Sequence, residues 1–163
     1  FYLVMDKLRS YCTTFQMDLL DPPNVAGWAA YYQEPDFHEL WINTATLPQR
    51  HSFTDSLITG ISVTGFKIQL DTIEYSKKLS NPSSANDLVS ELTFRILGID
   101  LTQTQKDFLV QNVLMPSVPS YEWTVIWNNY LADPSNATKK KAVTDKLNAL
   151  YKFIMRMAEY QLG

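Results

Sequence analysis

A chain of 163 residues with 45% apolar and 13% aromatic side chains can bury a real core, and a formal charge of −3 excludes a strongly basic nucleic-acid binder. Nothing approaches the ~18 consecutive apolar residues of a membrane span. The opening Phe1-Tyr2-Leu3-Val4-Met5 lacks the basic region and small-residue cleavage site of a signal peptide. The single Cys12 excludes an internal disulfide or a Cys-rich metal site, and reads as a small core residue. Charge is uneven: residues 138–163 carry six basic side chains against Asp145 and Glu159, a net +4, while the remainder is −7. Three lysines at one helix end make too small a footprint for nucleic acid, so this tail reads as the solvated face of an amphipathic helix.

Helical period dominates the chain. Leu3, Leu8, Tyr11 or Cys12, Phe15 and Leu19 recur every three to five residues and predict a helix from about Tyr2 to Met17. A second helix starts near Thr44 to Thr46, with Thr46 as cap and Pro48 in the first turn, and stops at Gly60. From Ile61 to Leu70 apolar residues alternate at period two, the one strand-like passage, read as an extended connector with at most one short strand pairing. A short helix follows around Thr72 to Lys78. Ser84 and Asp87 resemble a capping box before the helix through Leu88, Leu92 and Ile96, which ends at Gly98. Thr102 and Gln105 make a better box for a helix burying Phe108, Leu109 and Val113 up to Pro116. Ser120 caps a helix bearing Trp123, Trp127 and Tyr130-Leu131, and the last helix runs from about Ala137 to Gln161. The expected fold is all-α, an irregular bundle of six or seven helices in a single domain, 1–163, with one long ordered Pro/Trp-rich loop.

That loop, about 25 residues from Asp18 to Asn43, is the most informative passage. Pro22 and Pro23 fix φ and remove two donors, Asp21 is pushed toward an extended conformation, and Gly27 admits a φ that others resist. Trp28 needs an apolar bed and a partner for its indole N–H. Asn24 and Asn43 can satisfy loop backbone groups, Trp28 and Trp41 can pack together, and Arg50 can clamp loop carbonyls or Asp21. The candidate binding or loop-anchoring residues are therefore Asp21, Asn24, Trp28, Trp41, Asn43 and Arg50. Both indoles are expected to be buried near one another.

Read as PPNVAGW (Pro22 to Trp28) and WINTATLPQR (Trp41 to Arg50), the two segments resemble the signature of a large bacterial family, domain of unknown function 1800. Leu88 to Gly98, Leu101-Thr102 with Phe108-Leu109, and the ending Ala158-Glu159-Tyr160-Gln161 fit the same pattern in order, with Ala158 where the family usually has Pro. The family domain is longer than this chain, so the resemblance implies the C-terminal part of a larger domain. Its members are commonly encoded beside a sulfatase-like protein and many are exported, which implies an extracytoplasmic setting and that protein as a partner.

No catalytic constellation is present. His38 and His51, with Asp36, Glu39 and Asp55 nearby, lack the fixed spacing of a zinc site, no G-x-S-x-G occurs, and the five glycines never cluster into a phosphate loop. No metal and no cofactor is implied. The Asn136-Ala137-Thr138 sequon carries no information in a bacterial setting. Three readings stay open: a protein-interaction or structural module of the cell envelope, an envelope hydrolase whose catalytic residues lie upstream of Phe1, and a carbohydrate-binding surface built from the loop aromatics. An uncapped apolar opening also leads us to expect Phe1, Leu3 or Val4, with Tyr31 or Trp123, to line an exposed patch or a contact with a second copy.

Overall fold

The computed structural model describes residues 2–18, 20–22, 25, 27 and 42–162. The chain is mostly helical, as the periodicity implied, with eight α-helices, one π-helical segment and one two-stranded hairpin among these residues. It forms two compact units, 1–69 and 70–163.

Unit 1 contains α1 (Tyr2–Thr14), α2 (Thr46–Thr59) and the hairpin of β1 (Ile61–Val63) and β2 (Phe66–Ile68). The alternating passage thus holds the one short strand pairing that the sequence allowed, folded as a hairpin rather than an extended connector. Ile61 pairs with Ile68 and Val63 with Phe66, leaving Thr64-Gly65 as a two-residue loop. Gly65 turns it with φ 88°, which the second central position of a type II turn requires. Helix α1 buries none of its residues, and Tyr2, Leu3, Met5 and Leu8 are all exposed. Its last turns meet α2 through rings: Tyr11 and Phe15 lie 4.5 and 5.5 Å from Phe53. Phe1 and Tyr31 fall outside the described residues.

Unit 2 contains α3 (Thr72–Ser76), α4 (Ala85–Leu97), α5 (Gln103–Phe108) running into a π-helical segment (Leu109–Leu114), α6 (Tyr121–Ala132), α7 (Ala137–Arg156) and α8 (Ala158–Leu162). Helix α7 is its axis. Val143, Leu147, Leu150, Tyr151 and Ile154 repeat at helical spacing and are fully buried. Each such side chain contributes roughly 1.5–3 kcal/mol by leaving water. Around α7 pack α3, α4, α6 and the π segment.

Local chemistry sets the element ends. Asn136 caps α7, its side-chain oxygen accepting from the Thr138 and Lys139 N–H groups at 3.1 and 3.2 Å. Thr102 and Gln105 form the reciprocal box at α5. Gly98 closes α4 in the left-handed conformation, φ 71°, donating to Phe94 O. Ser120 departs from expectation: it is helical and makes no side-chain cap. The last helix also breaks, because Met157 is extended (ψ 151°) and separates α7 from α8.

Three core positions differ from the periodic reading. Phe108, expected in the core, is 49% exposed, and only Leu109 beside it is buried. A π turn is wider than an α turn, so the inward position after Val110 falls on Leu114 and Met115, both fully buried, and Val113 is only half-buried. Trp123, expected at an exposed patch, is fully buried instead. Its indole N–H donates to Pro82 O at 2.9 Å, and its ring lies 5.6 Å from Trp127.

Candidate functional site

The two sequence motifs can be followed through the residues that flank them. Helix α1 ends in a Schellman motif: Gln16 N–H donates to Thr13 O at 3.0 Å and Met17 N–H to Cys12 O at 2.9 Å. The left-handed position belongs to Gln16, φ 61°, where glycine is usual. Leu20, four residues on, is also left-handed at φ 66° and fully exposed. An L residue in this region costs roughly 1–2 kcal/mol. Two such residues within five positions therefore store strain at the entrance to the Pro-Pro segment.

Helix α2 starts differently from expectation. Asn43, not Thr46, is the cap. Its side-chain oxygen accepts from the Ala45 and Thr46 N–H groups, both at 2.9 Å, while Thr46 Oγ1 accepts the Asn43 N–H at 3.0 Å. Leu47 N–H already donates to Asn43 O, so the helical bonding begins at Asn43. Thr46 and Asn43 are thus the two halves of one reciprocal box. Pro48 follows within the next turn, where the missing donor removes one internal bond.

Arg50 lies seven residues, two turns, beyond Asn43 and so shares its face. Both side chains reach the exit of α1. Asn43 Nδ2 donates to Gln16 Oε1 at 3.3 Å. The Arg50 guanidinium sits 5.3 Å from the centre of the Phe15 ring, and its Nη2 lies 3.0 Å from Met17 Sδ. The second motif therefore grips Phe15-Gln16-Met17, the three residues that feed the first. Asp21 is exposed, and no ion pair joins it to Arg50; its N–H donates to Asp18 O at 3.3 Å. Asn24, Trp28 and Trp41 lie outside the described residues, and so does the expected packing of the two indoles.

Polar satisfaction is incomplete here. Asp18 Oδ1, Arg50 Nε and His51 Nε2 are buried with no hydrogen-bond partner among the described residues. Burial pushes the Arg50 guanidinium below its ordinary pKa by stripping away part of its hydration. Buried polar atoms without partners are few in native proteins, and all three of these belong to ionisable side chains next to the motifs. Sequence reading singled out Arg50 and weighed His51, but it passed over Gln16, Met17 and Asp18. The one available signal was their position directly after the aromatic residues of α1.

Unit 2 carries concavities of its own. An open cleft of about 570 Å³ is lined by Asn81, Asp87, Ser90, Glu91, Phe94 and Asp100. Glu91 accepts from Ser80 N–H and pairs with Arg95, and these contacts hold its carboxyl below the usual range. A smaller groove of about 270 Å³, almost wholly apolar, lies between Phe108, Leu109, Phe153 and Met157. Among the described residues no three His, Cys, Asp or Glu side chains converge as metal ligands, and no helix is long and apolar enough to cross a membrane.

A helical fold with an Asn-box and an Arg two turns later, both holding the stem of a Pro-rich segment, defines a class by architecture rather than by chemistry. The chain belongs to the DUF1800 family, described as a protein of unknown function, whose pattern matches residues 3–162. No curated protein and no solved structure matches it.

Proposed function

We propose that this chain is a protein-interaction and structural module of the cell envelope, in which Asn43 and Arg50 hold the stem of a recognition segment. The observation that carries this reading is their shared grip on Phe15-Gln16-Met17. Two side chains of one motif meet the residues that lead into the other, Asn43 through Gln16 and Arg50 through Phe15 and Met17. Exposed apolar side chains on α1 support the interaction half of the reading, because Leu3, Met5 and Leu8 lie open on a helix that buries nothing. The partner we propose is the sulfatase-like protein encoded beside family members, in an extracytoplasmic setting.

Co-expression of the chain with that neighbour, followed by sedimentation analysis, tests the proposal. A stable complex is expected, weakened at least tenfold by Leu3→Glu combined with Leu8→Glu. A pair that sediments independently at high micromolar concentration would end this reading.

A further inference from the structure

We propose that Met17 is a peroxide-reactive modification site whose oxidation tightens, rather than loosens, the junction of the two motifs. Arg50 is a strong charged donor, yet among the described residues its hydrogen-bond acceptor is a thioether sulfur, one of the weakest in proteins. The guanidinium is also partly stripped of water. Donor strength and acceptor strength are mismatched where Arg50 of the second motif reaches the residues that lead into the first.

Oxidation removes that mismatch. The sulfur attacks one oxygen of a peroxide, an S–O bond forms as the O–O bond breaks, and the other oxygen leaves as water or an alcohol. The thioether is oxidised to a sulfoxide and the peroxide reduced. The new oxygen is a polar acceptor placed on the atom that Arg50 Nη2 already approaches at 3.0 Å. A retreat of the flexible guanidinium by roughly 1 Å makes room for a charge-assisted hydrogen bond of ordinary length.

Access is available as well. Met17 is half-buried, whereas Met115 and Met155 are closed to solvent at 0% and 7% exposure. Methionine oxidation in a core is disruptive because a polar oxygen lands among apolar neighbours. Met17 differs because a cation is already waiting there.

The experiment uses the whole chain with the other two accessible methionines replaced, Met5→Leu and Met157→Leu, treated with dilute hydrogen peroxide and mapped by peptide mass. We expect one added oxygen at Met17 and a Tm higher by at least about 3 °C, the shift at the low end for one charge-assisted hydrogen bond in a chain of this size. A methionine sulfoxide reductase should reverse the shift, and Arg50→Leu in the same background should turn it into a loss. Amide hydrogen exchange at Phe15 to Met17 in the unmutated chain gives the same answer without mutation, slowing several-fold after oxidation. A Met17 that stays reduced, a Tm that falls or holds on oxidation, or faster exchange would each overturn the proposal.

Discussion

In unit 2 the deepest polar atoms come in pairs. Ser76 Oγ and Tyr151 OH meet at 3.0 Å, Thr72 donates to Asn148 at 2.8 Å, and the Trp123 indole donates to Pro82 O. Unit 1 is the opposite case. Its buried Asp18, Arg50 and His51 atoms go without partners among the described residues, and two of its non-glycine residues are left-handed within five positions. Unit 2 reads as a region where local preference, packing and polar satisfaction agree. In unit 1 they conflict beside the motifs, and such conflicts concentrate where a protein trades stability for function.

The comparison can be broken first at its firm end. Trp123→Ala should cost about 3–5 kcal/mol in denaturant unfolding, since it empties a core site and strands the Pro82 carbonyl. A loss below about 1 kcal/mol would mean that unit 2 is looser than its packing implies.

The Ser76–Tyr151 pair gives a pH test. Burial raises the Tyr151 phenol above its ordinary value of 10.0. Above pH 10 the unfolded tyrosine loses its proton while the folded one keeps it, so the unfolded state binds fewer protons and stability falls as pH rises. Alkaline unfolding should therefore steepen above pH 10, and Tyr151→Phe should flatten it at a cost of roughly 1–3 kcal/mol at neutral pH. An unchanged slope in that variant would show that other groups control the alkaline limb.

Unit 1 should respond more weakly. Asn43→Ala removes a cap and the contact to Gln16, and should cost about 1 kcal/mol by thermal unfolding. Arg50→Met should cost less than about 1 kcal/mol, because an unbranched apolar chain of comparable reach keeps the contact with Phe15 and ends the desolvation of a charge. A large loss there would mean that Arg50 is well satisfied after all, and the contrast between the units would shrink.

The smallest effects are gains. Ser117, φ 62°, follows Pro116 in a turn closed by Val118 N–H donating to Met115 O, and it is exposed. Ser117→Gly should add up to about 1 kcal/mol by relieving the left-handed strain. Gln16→Gly should add less, because it also gives up the bond from Asn43. Equal gains would show that this bond contributes nothing.

Much of unit 2 was legible because its signals are local. Thr102 with Gln105, Asn136 before its helix and Gly98 after one each state an element boundary within four residues. The α7 stripe repeats often enough that no other period fits it. The π segment was illegible because one widened turn differs from an α turn by a single residue, which shifts the inward position from Val113 to Leu114. The one short strand pairing fell within Ile61 to Leu70 as allowed, but its turn was read through as a connector because both three-residue strands fit inside one alternating run. At the motifs, Asn43 and Arg50 were singled out by residue type and spacing, though Arg50 meets Phe15 and Met17 rather than Asp21. Their partner residues were not, since neither a glutamine in a left-handed cap nor a methionine under an arginine has a sequence signature.

The π-helical stretch Leu109–Leu114 carries a consequence for how relatives of this chain can vary in length. A helix holding one residue more than its α register needs can lose that residue and keep its ends in place. Deleting Gln111 or Asn112, both solvent-facing, would let the stretch close into ordinary α turns while Pro116 and the turn before α6 stay where they are. The same deletion within α4 or α7 would rotate every later side chain by about 100° and unpack the core. Single-residue gaps among homologues should therefore collect between Phe108 and Met115, and a family alignment would read as a record of where this fold stores a spare residue.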